Sequence, residues 1–553
     1  MTVYLADSIM LLAPLWVLKR KGYAYGAIAA ITVAIVTYAN ILYYRYWQSF
    51  IPVDAIFSAN SYNSFVFDSI RHLVRPADII TFISGIIPLA SYILLKVKDA
   101  GHVSRKFRAT AITLSVAAFV TATLLSALSI NKYNLSNGDD TSTISKVVRD
   151  KFSGEIPRWK NNGCIIYTIN SFFCKWLFNK HLRNKSSITP DAGEIELIES
   201  FVSMASTYHH KPDSVFAHNR HKNLILIIVE SLNSSVIGAR YGNKSITPTI
   251  DSLLDNEGTI AALNVIPQIN FGGSADGQMI YNTGLLPISN SVAANLYGDN
   301  VFHSLAGSSR FAEKAEIICE NGTVWNHRTT SISYGYDHLY EKKDFEQYGI
   351  TDSQGEDAAL FDMAIKIIGH MRQPFMLELT TISMHFPFND ANATAASDIP
   401  DRTIDDRYLR MTNYFDRQLG IFIDRLKADG IYDNSVIVIA SDHHFSMAEV
   451  TDDMNDRSVS PIAFIALNTG HTERIVRTVG QADVYPTILE ITGIGDTEIW
   501  HGVGMSILDP ANRSAVDRNG DLHGTSGDSI DERKRRAWQA SDLIIRSNYF
   551  QKR

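Results

Sequence analysis

Two apolar runs, far apart in the chain, each end on a carboxylate, and they restrict the possible fold more than any other feature. Residues 223–229 (Asn-Leu-Ile-Leu-Ile-Ile-Val) lead into Glu230 and Ser231, and residues 435–441 (Ser-Val-Ile-Val-Ile-Ala-Ser) lead into Asp442, His443 and His444. Runs of strand length without polar alternation predict central strands of a parallel sheet, buried on both faces. Open α/β sheets bind ligands beyond the carboxyl ends of their strands. If the two strands lie in one sheet and run the same way, Glu230, Asp442 and His443 meet on one rim. Two carboxylates and an imidazole form an oxygen and nitrogen donor set for one divalent cation, with manganese, magnesium and zinc all compatible. A lone carboxylate at a strand end often marks only the return of the chain to water, so the coincidence of the two carries the weight.

The surrounding sequence repeats the pattern of strand, loop and helix. Further strands are expected at 259–266, 315–319, 375–381 and 462–467. Helices are expected at 357–371, where Leu360, Ala364, Ile367 and Met371 recur at helical spacing, and at 410–427, where Phe415, Leu419, Phe422 and Leu426 do the same. Such alternation predicts an α/β fold, a mostly parallel sheet with helices on both faces.

At 553 residues the chain is too long for one ordinary domain. Its first 130 residues hold apolar runs at 5–18, 24–44, 79–95 and 109–128, against the roughly 20 apolar residues that a bilayer requires. They predict an α-helical transmembrane region of three to four spans. The first run is short and contains Asp7 and Pro14, which fits a span beginning nearer the terminus, a re-entrant segment, or the remnant of a longer N-terminus. Lys19, Arg20 and Lys21 follow it, and Lys96, Lys98, Arg105, Lys106 and Arg108 fill the third link, so both links are expected on the cytoplasmic side. The chain then reads as a multi-pass protein of the cytoplasmic (inner) membrane with everything after residue 128 on the extracytoplasmic, periplasmic side. The expected divisions are 1–130 in the membrane, 131–220 as linker and juxtamembrane helices, 221–510 as the catalytic domain, and 511–553 as a polar C-terminal tail whose basic run 532–536 faces solvent or anionic headgroups. The aromatic stretch 165–178 fits either an interfacial helix or the first helix of the globular domain. Cys164 and Cys174 are the only cysteines close in sequence, and the compartment permits a disulfide between them. A net charge of −7 lacks the basic excess of a nucleic-acid binder.

Between the carboxylate-bearing strands lies Phe271-Gly272-Gly273-Ser274-Ala275-Asp276-Gly277-Gln278. The glycines allow a tight turn, and Ser274 falls at the start of a helix, where backbone N–H groups and the helix dipole favour anions. Taken alone, Gly-Gly-Ser fits better a Ser274 that only caps the helix.

A resemblance then enters. Val229-Glu230-Ser231, Gly273-Ser274-Ala275-Asp276, Trp325-Asn326 with Tyr334-Gly335-Tyr336-Asp337, Met384-His385-Phe386-Pro387-Phe388, Ser441-Asp442-His443 and the run from Gln481 to Thr487 occur in order. In order and rough spacing they resemble the lipoteichoic acid synthase family, phosphoglycerol transferases of the alkaline phosphatase and sulfatase superfamily. The resemblance implies that Glu230, Ser274, Asp442 and His443 ligate one divalent cation and that Ser274 replaces the family's usual threonine nucleophile. It places His385 against the phosphate or its glycerol, as general acid or base, and gives Trp325 and Asn326 substrate contacts. His327, with Arg328 beside it, occupies the position of the motif's usual arginine, and His444 that of a common glycine; all three are candidate substrate contacts. The expected activity is transfer of phosphoglycerol, or a similar head group, from a phospholipid donor to a cell-envelope glycan or lipid acceptor through phospho-Ser274. Alternatives are an extracytoplasmic phosphatase or phosphodiesterase, a phosphoethanolamine transferase, and a non-catalytic envelope scaffold. A sulfatase proper is disfavoured, because Ser274-Ala-Asp-Gly-Gln lacks the proline and arginine context of formylglycine formation.

Overall fold

The computed structural model describes residues 20–47, 74–79, 81, 113, 188–207, 215–288, 292–353, 355–390, 399–445, 459–494 and 501–552. The chain divides into two units, Met1–Ser186 and Ser187–Arg553. In the first, helix α1 (Arg20–Trp47) covers the expected span at 24–44. Its window Tyr25–Leu42 makes it the one helix among the described residues that is long and apolar enough to cross a bilayer. The runs at 5–18, 79–95 and 109–128 fall almost wholly outside the described residues, as do the stretch 165–178 and Cys164 with Cys174.

The second unit begins with α2 (Ala192–Thr207) and is built on a nine-stranded sheet. In chain order its strands are β1 (Asn223–Val229), β2 (Ile260–Ile266), β3 (Glu313–Ile318), β4 (His338–Tyr340), β5 (Phe375–Thr380), β6 (Ser435–Ser441), β7 (Ile462–Leu467), β8 (Glu473–Ile475) and β9 (Val479–Gly480). Across the sheet they lie in the order β8-β2-β7-β6-β1-β5-β3-β4, with β9 pairing on β2. Every residue of β1 and β6 is buried, as continuous apolar runs require of strands covered on both faces. The two are parallel neighbours with Val229 opposite Ser441, which brings Glu230 and Asp442 to the same rim. Within this mostly parallel sheet β7 runs antiparallel to both β2 and β6.

The helices expected by periodicity are present. In chain order α3 (Ser274–Thr283) and α4 (His327–Tyr334) precede α5 (Glu356–Ile368) and α6 (Ile404–Ala428). A capping box, in which Thr403 accepts from the Asp406 N–H and Asp406 reaches back, starts α6 well before the first periodic apolar residue. Phe361 of α5 stacks on Phe422 of α6 with ring centroids 4.7 Å apart. After α7 (Val484–Ile491) the chain forms a hairpin, β10 (Ser514–Val516) with β11 (Leu522–Gly524), and the 20-residue helix α8 (Asp528–Ser547).

The segment 511–553, expected as a polar tail, is therefore a folded part of the second unit over its described residues, 511–552. Ala537, Ala540, Leu543, Ile544 and Ile545 of α8 are buried in the main core. Its basic run does not simply face solvent. Arg533 lies over the Phe201 ring of α2 at 4.2 Å, and Lys534 Nζ pairs with Asp483 Oδ2 at 3.1 Å, while Arg535 and Arg536 stay exposed. Polar residues in this segment occupy the hairpin turn and the outer helix face, which conceals the amphipathic period.

Candidate functional site

Strand ends and one helix start build the site. Glu230 follows β1, and Asp442 with His443 follows β6; all three offer ligand atoms within 4.8 Å of one another. His443 Nε2 lies 3.4 Å from Glu230 Oε1 and 3.5 Å from Asp442 Oδ2. The Asp442 carboxylate is aimed by its Oδ1, which accepts the Ser231 N–H at 2.8 Å and the His443 N–H at 2.6 Å. Its Oδ2 is buried with no hydrogen-bond partner. An unsatisfied buried carboxylate oxygen is costly unless something positive meets it, and here it faces the His443 side of the cluster. Burial and the neighbouring Glu230 push Asp442 up to about 7. Burial disfavours a charged His443, but Asp442 and Glu230 outweigh it and raise its pKa. Two carboxylates, an imidazole and an orphaned oxygen fit a divalent cation.

Ser274 joins this cluster. Its Oγ donates to Glu230 Oε2 at 3.0 Å and lies 3.3 Å from His443 Nε2. Within 271–280 every other residue is buried, and Ser274 alone reaches solvent. The turn that presents it depends on Gly273, whose φ of 50° is one that side chains disfavour. Asp276 holds the turn by accepting the N–H groups of Asn270 and Gly272 at 2.8 and 2.9 Å.

Helix α3 is fixed against the sheet at several points. Gly277 packs on the Asp442 backbone so closely that a Cβ would sit 2.5 Å from its carbonyl oxygen. Tyr281 donates its hydroxyl to Ser441 O. Beneath, Gln278 Nε2 donates to both Glu316 Oε1 (2.6 Å) and Glu378 Oε1 (2.7 Å), and Asn282 and the Tyr336 hydroxyl donate to Glu378 Oε2. Burial, together with Glu316, pushes Glu378 up to about 7. This buried acid pair supports the site from below and is not among the residues expected from the sequence. Its signal is a glutamate on each of two strands, at 316 and 378.

The other expected site residues divide into groups. His385 is half-buried, its Nδ1 lies 2.6 Å from Phe386 O, and burial lowers its pKa; it acts electrostatically with His443 and Asp442. The loop bearing it is anchored by Asp357 of α5, whose Oδ1 accepts the N–H groups of Ile382 (2.9 Å) and Ser383 (3.1 Å). Trp325 packs on the small cluster of Phe271, Ala275, Val292 and Ala294, next to Ser274. Trp325 and Asn326 both have left-handed backbones, with φ of 49° and 61°, a conformation that costs non-glycine residues energy and gathers at ligand sites. The Asn326 side chain is committed to Ala294 O and Thr329. His444 is half-buried, with Nδ1 buried and unbonded; burial, then Arg518 and His443, lower its pKa to about 3.

Neither cation expected beside the phosphate is placed to clamp one. His327 is buried between Glu316 (Nδ1, 3.1 Å) and Glu320 (Nε2, 3.6 Å), and Arg328 turns to Glu341, contacting both carboxylate oxygens at 2.7 Å. The carboxylates on β3 and beyond outcompete the pocket for these two side chains. Asp483 accepts the Gly480 and Met505 N–H groups and pairs with Lys534, so it is structural.

A mostly parallel sheet with an acidic and imidazole rim, and a hydroxyl delivered to it by a helix start, is the architecture of an α/β enzyme. The sulfatase family model matches residues 278–494, which include Asp442 and His443 and leave out Glu230 and Ser274, and the lipoteichoic acid synthase N-terminal domain model matches residues 5–148. Lipoteichoic acid synthase 2 of Bacillus subtilis is 25% identical over 506 residues, covering 88% of this chain and 74% of that protein. The lipoteichoic acid synthase of Staphylococcus saprophyticus is 25% identical over 546 residues, covering 94% and 80%. In fold, the chain is similar to the lipoteichoic acid synthase LtaP of Listeria monocytogenes, with a TM-score of 0.54 at 22% identity over 62% of this chain and 98% of that one. It is also similar to an alkaline phosphatase superfamily protein of Vibrio parahaemolyticus, with a TM-score of 0.50 at 16% identity over 66% and 98%. The chain is thus similar to lipoteichoic acid synthases along most of its length, with a sulfatase match over 278–494 and a lipoteichoic acid synthase N-terminal match over 5–148.

Proposed function

We propose that this protein is a membrane-anchored, metal-dependent transferase that moves phosphoglycerol, or a similar phospho-head group, from a phospholipid to a cell-envelope glycan or lipid acceptor through phospho-Ser274. The observation that carries this reading is the position of Ser274 Oγ, solvent-reaching and within 3.0 Å of Glu230 and 3.3 Å of His443. The 25% identity to lipoteichoic acid synthases along most of the chain supports the choice of head group. Several helices in 1–130 and an extracytoplasmic catalytic unit belong to the same proposal.

Glu230, Ser274, Asp442 and His443 would hold a divalent cation, which would supply Lewis-acid stabilisation of negative charge at the serine oxygen. Ser274 Oγ is the nucleophile: it forms the bond to phosphorus as the bond to diacylglycerol breaks, and the departing diacylglycerol oxygen takes its proton from water. Glu230, which already accepts the Ser274 proton in a hydrogen bond, is the group that draws it from the hydroxyl. In the second displacement an acceptor hydroxyl attacks the phosphorylated serine. With Nδ1 directed at Phe386 O, His385 exchanges protons through Nε2, and its lowered pKa keeps it in the base form that this step needs. Trp325 supplies an apolar wall beside Ser274 for the glycerol carbons. Anchoring keeps the catalytic unit at high effective concentration near a donor that stays in the bilayer.

The test uses the full-length protein with phosphatidylglycerol labelled in its head group and an envelope extract as acceptor. Wild type is expected to release diacylglycerol and label the acceptor, with Ser274→Ala inactive. Label appearing as free glycerol phosphate, with none on any acceptor, would establish hydrolysis instead.

A further inference from the structure

The residue after Glu230 breaks the geometry of the strand it follows. In an extended chain neighbouring side chains point to opposite faces, so Ser231 should turn away from the rim that Glu230 lines. Instead its backbone is left-handed, with φ of 53°, a conformation disfavoured for residues with a Cβ. The turn brings two consecutive side chains together, and the buried Ser231 Oγ donates to Glu230 Oε1 at 2.7 Å. Strained residues of this kind persist only where their surroundings over-determine them, and they gather at functional sites. Tyr408 of α6 supplies that hold. Its hydroxyl donates to Ser231 O at 2.7 Å and accepts the Asn233 N–H at 3.0 Å, while its ring packs on Phe445 with centroids 5.0 Å apart. Asn233 in turn accepts the Phe445 N–H at 2.9 Å and donates to Phe445 O at 2.7 Å, which ties the turn to the loop carrying His443.

From this position Ser231 touches Glu230, Asp442 and His443 at once. Its N–H donates to Asp442 Oδ1 at 2.8 Å, and its Oγ, besides the bond to Glu230, lies 3.4 Å from His443 Nδ1. A donor on one oxygen of a carboxylate, or a partner on one nitrogen of an imidazole, decides which atom is left to bind metal. Here the atoms left are Asp442 Oδ2, Glu230 Oε2 and His443 Nε2. His443 Nδ1 also lies 3.1 Å from His444 O, which can only accept, so Nδ1 carries a proton and Nε2 is the available donor atom. These atoms converge. His443 Nε2 is 3.5 Å from Asp442 Oδ2, and Ser274 Oγ is 3.0 Å from Glu230 Oε2 and 3.3 Å from His443 Nε2.

We propose that Ser231 is a positioning residue: its hydroxyl and N–H, held in a left-handed turn by Tyr408, preset Glu230, Asp442 and His443 so that Oε2, Oδ2 and Nε2 remain for a divalent cation next to Ser274. This rests on the reading of those groups as ligands of one cation. Ser231 itself stays outside the ligand set, because its hydroxyl proton is committed to Glu230 Oε1. Alanine at this position would keep the strain of the turn and lose the donor; glycine would adopt the turn freely and lose the donor too. The two variants therefore separate the backbone contribution of Ser231 from that of its hydroxyl.

The experiment titrates manganese by calorimetry into full-length wild type, Ser231→Ala, Ser231→Gly and Asp442→Asn, each stripped with a chelator, and records urea unfolding of each protein without metal. Both Ser231 variants are expected to bind manganese about ten- to a hundredfold more weakly than wild type, the usual effect of removing a group that orients metal ligands. Ser231→Gly should nevertheless unfold at a higher urea concentration than Ser231→Ala, because only alanine keeps a Cβ at positive φ. Wild-type manganese affinity in Ser231→Gly would mean that the residue serves only as a turn, and it overturns the proposal. Wild-type affinity in Ser231→Ala overturns it as well. Asp442→Asn is expected to lose manganese binding, which keeps the two readings apart. If it does so while the Ser231 variants bind normally, the Ser231 assignment falls alone; if it binds as wild type does, the cation site falls with it.

Discussion

Replacing Gly277 with alanine tests how tightly the nucleophile's helix must lie on the sheet rim. The added Cβ would meet Asp442 at 2.5 Å from O, 2.8 Å from Cα and 2.9 Å from C. All three are backbone atoms, so no side chain can rotate away. Ordinary contact begins at 3.4 Å, so α3 and the end of β6 must part by the difference from 2.5 Å, about 0.9 Å. Gln278, Tyr281 and Asn282 hold the rest of α3 in place, which concentrates the displacement at its first turn, beside Ser274. Overpacking of this kind costs about 1–3 kcal/mol of stability. Moving a reacting group by about 1 Å costs about 10²-fold in rate. Gly277→Ala is therefore expected to fold, to unfold at lower urea concentration, and to lose about two orders of magnitude in kcat on labelled phosphatidylglycerol. A variant with wild-type kcat and an unchanged urea midpoint would refute the claim that this contact positions Ser274.

Other expectations follow from particular contacts. Ser274→Thr keeps the hydroxyl and should retain most of the turnover that Ser274→Ala loses, measured as diacylglycerol release. Burial opposes charging His327, but Glu316 and Glu320 outweigh it and raise its pKa from 6.5 to about 10. The resulting stabilisation is complete below about pH 6.5 and is lost as pH rises through about 10, so His327→Gln should flatten the fall in melting temperature across that window. Lys534→Ala leaves Asp483 as a buried charge without its cation and should cost roughly 3 kcal/mol in urea unfolding. Asp357→Ala strands the N–H groups of Ile382 and Ser383, which should cost about 1–3 kcal/mol and lower kcat through the His385 loop.

Much of the site is readable from residue order because the chemistry sits where strands end. A run such as 223–229, with no polar alternation, announces a doubly covered strand, and its terminal carboxylate marks the rim. Gly272-Gly273-Ser274 likewise signals a tight turn into a helix, and Gly273 takes the positive φ that glycine permits. The fates of His327 and Arg328 are hidden because they depend on competition. Glu316, Glu320 and Glu341 stand several residues away, and only packing decides that they, and not a phosphate, receive these cations. The hairpin of β10 and β11 is hidden for the opposite reason. It lies in a polar stretch without apolar period, and a relay from Val516 O through Gln268 and Gln481 ties it to Asp442 O. The reversed direction of β7 is equally silent, because an apolar strand reads the same either way.

The most direct test of the central claim is peptide mass spectrometry of the full-length enzyme, acid-quenched during turnover of phosphatidylglycerol with manganese present. A glycerophosphate adduct on the peptide bearing Ser274, absent when the lipid is omitted, is the predicted result. Turnover with that peptide unmodified, or with the adduct on another residue, would contradict it.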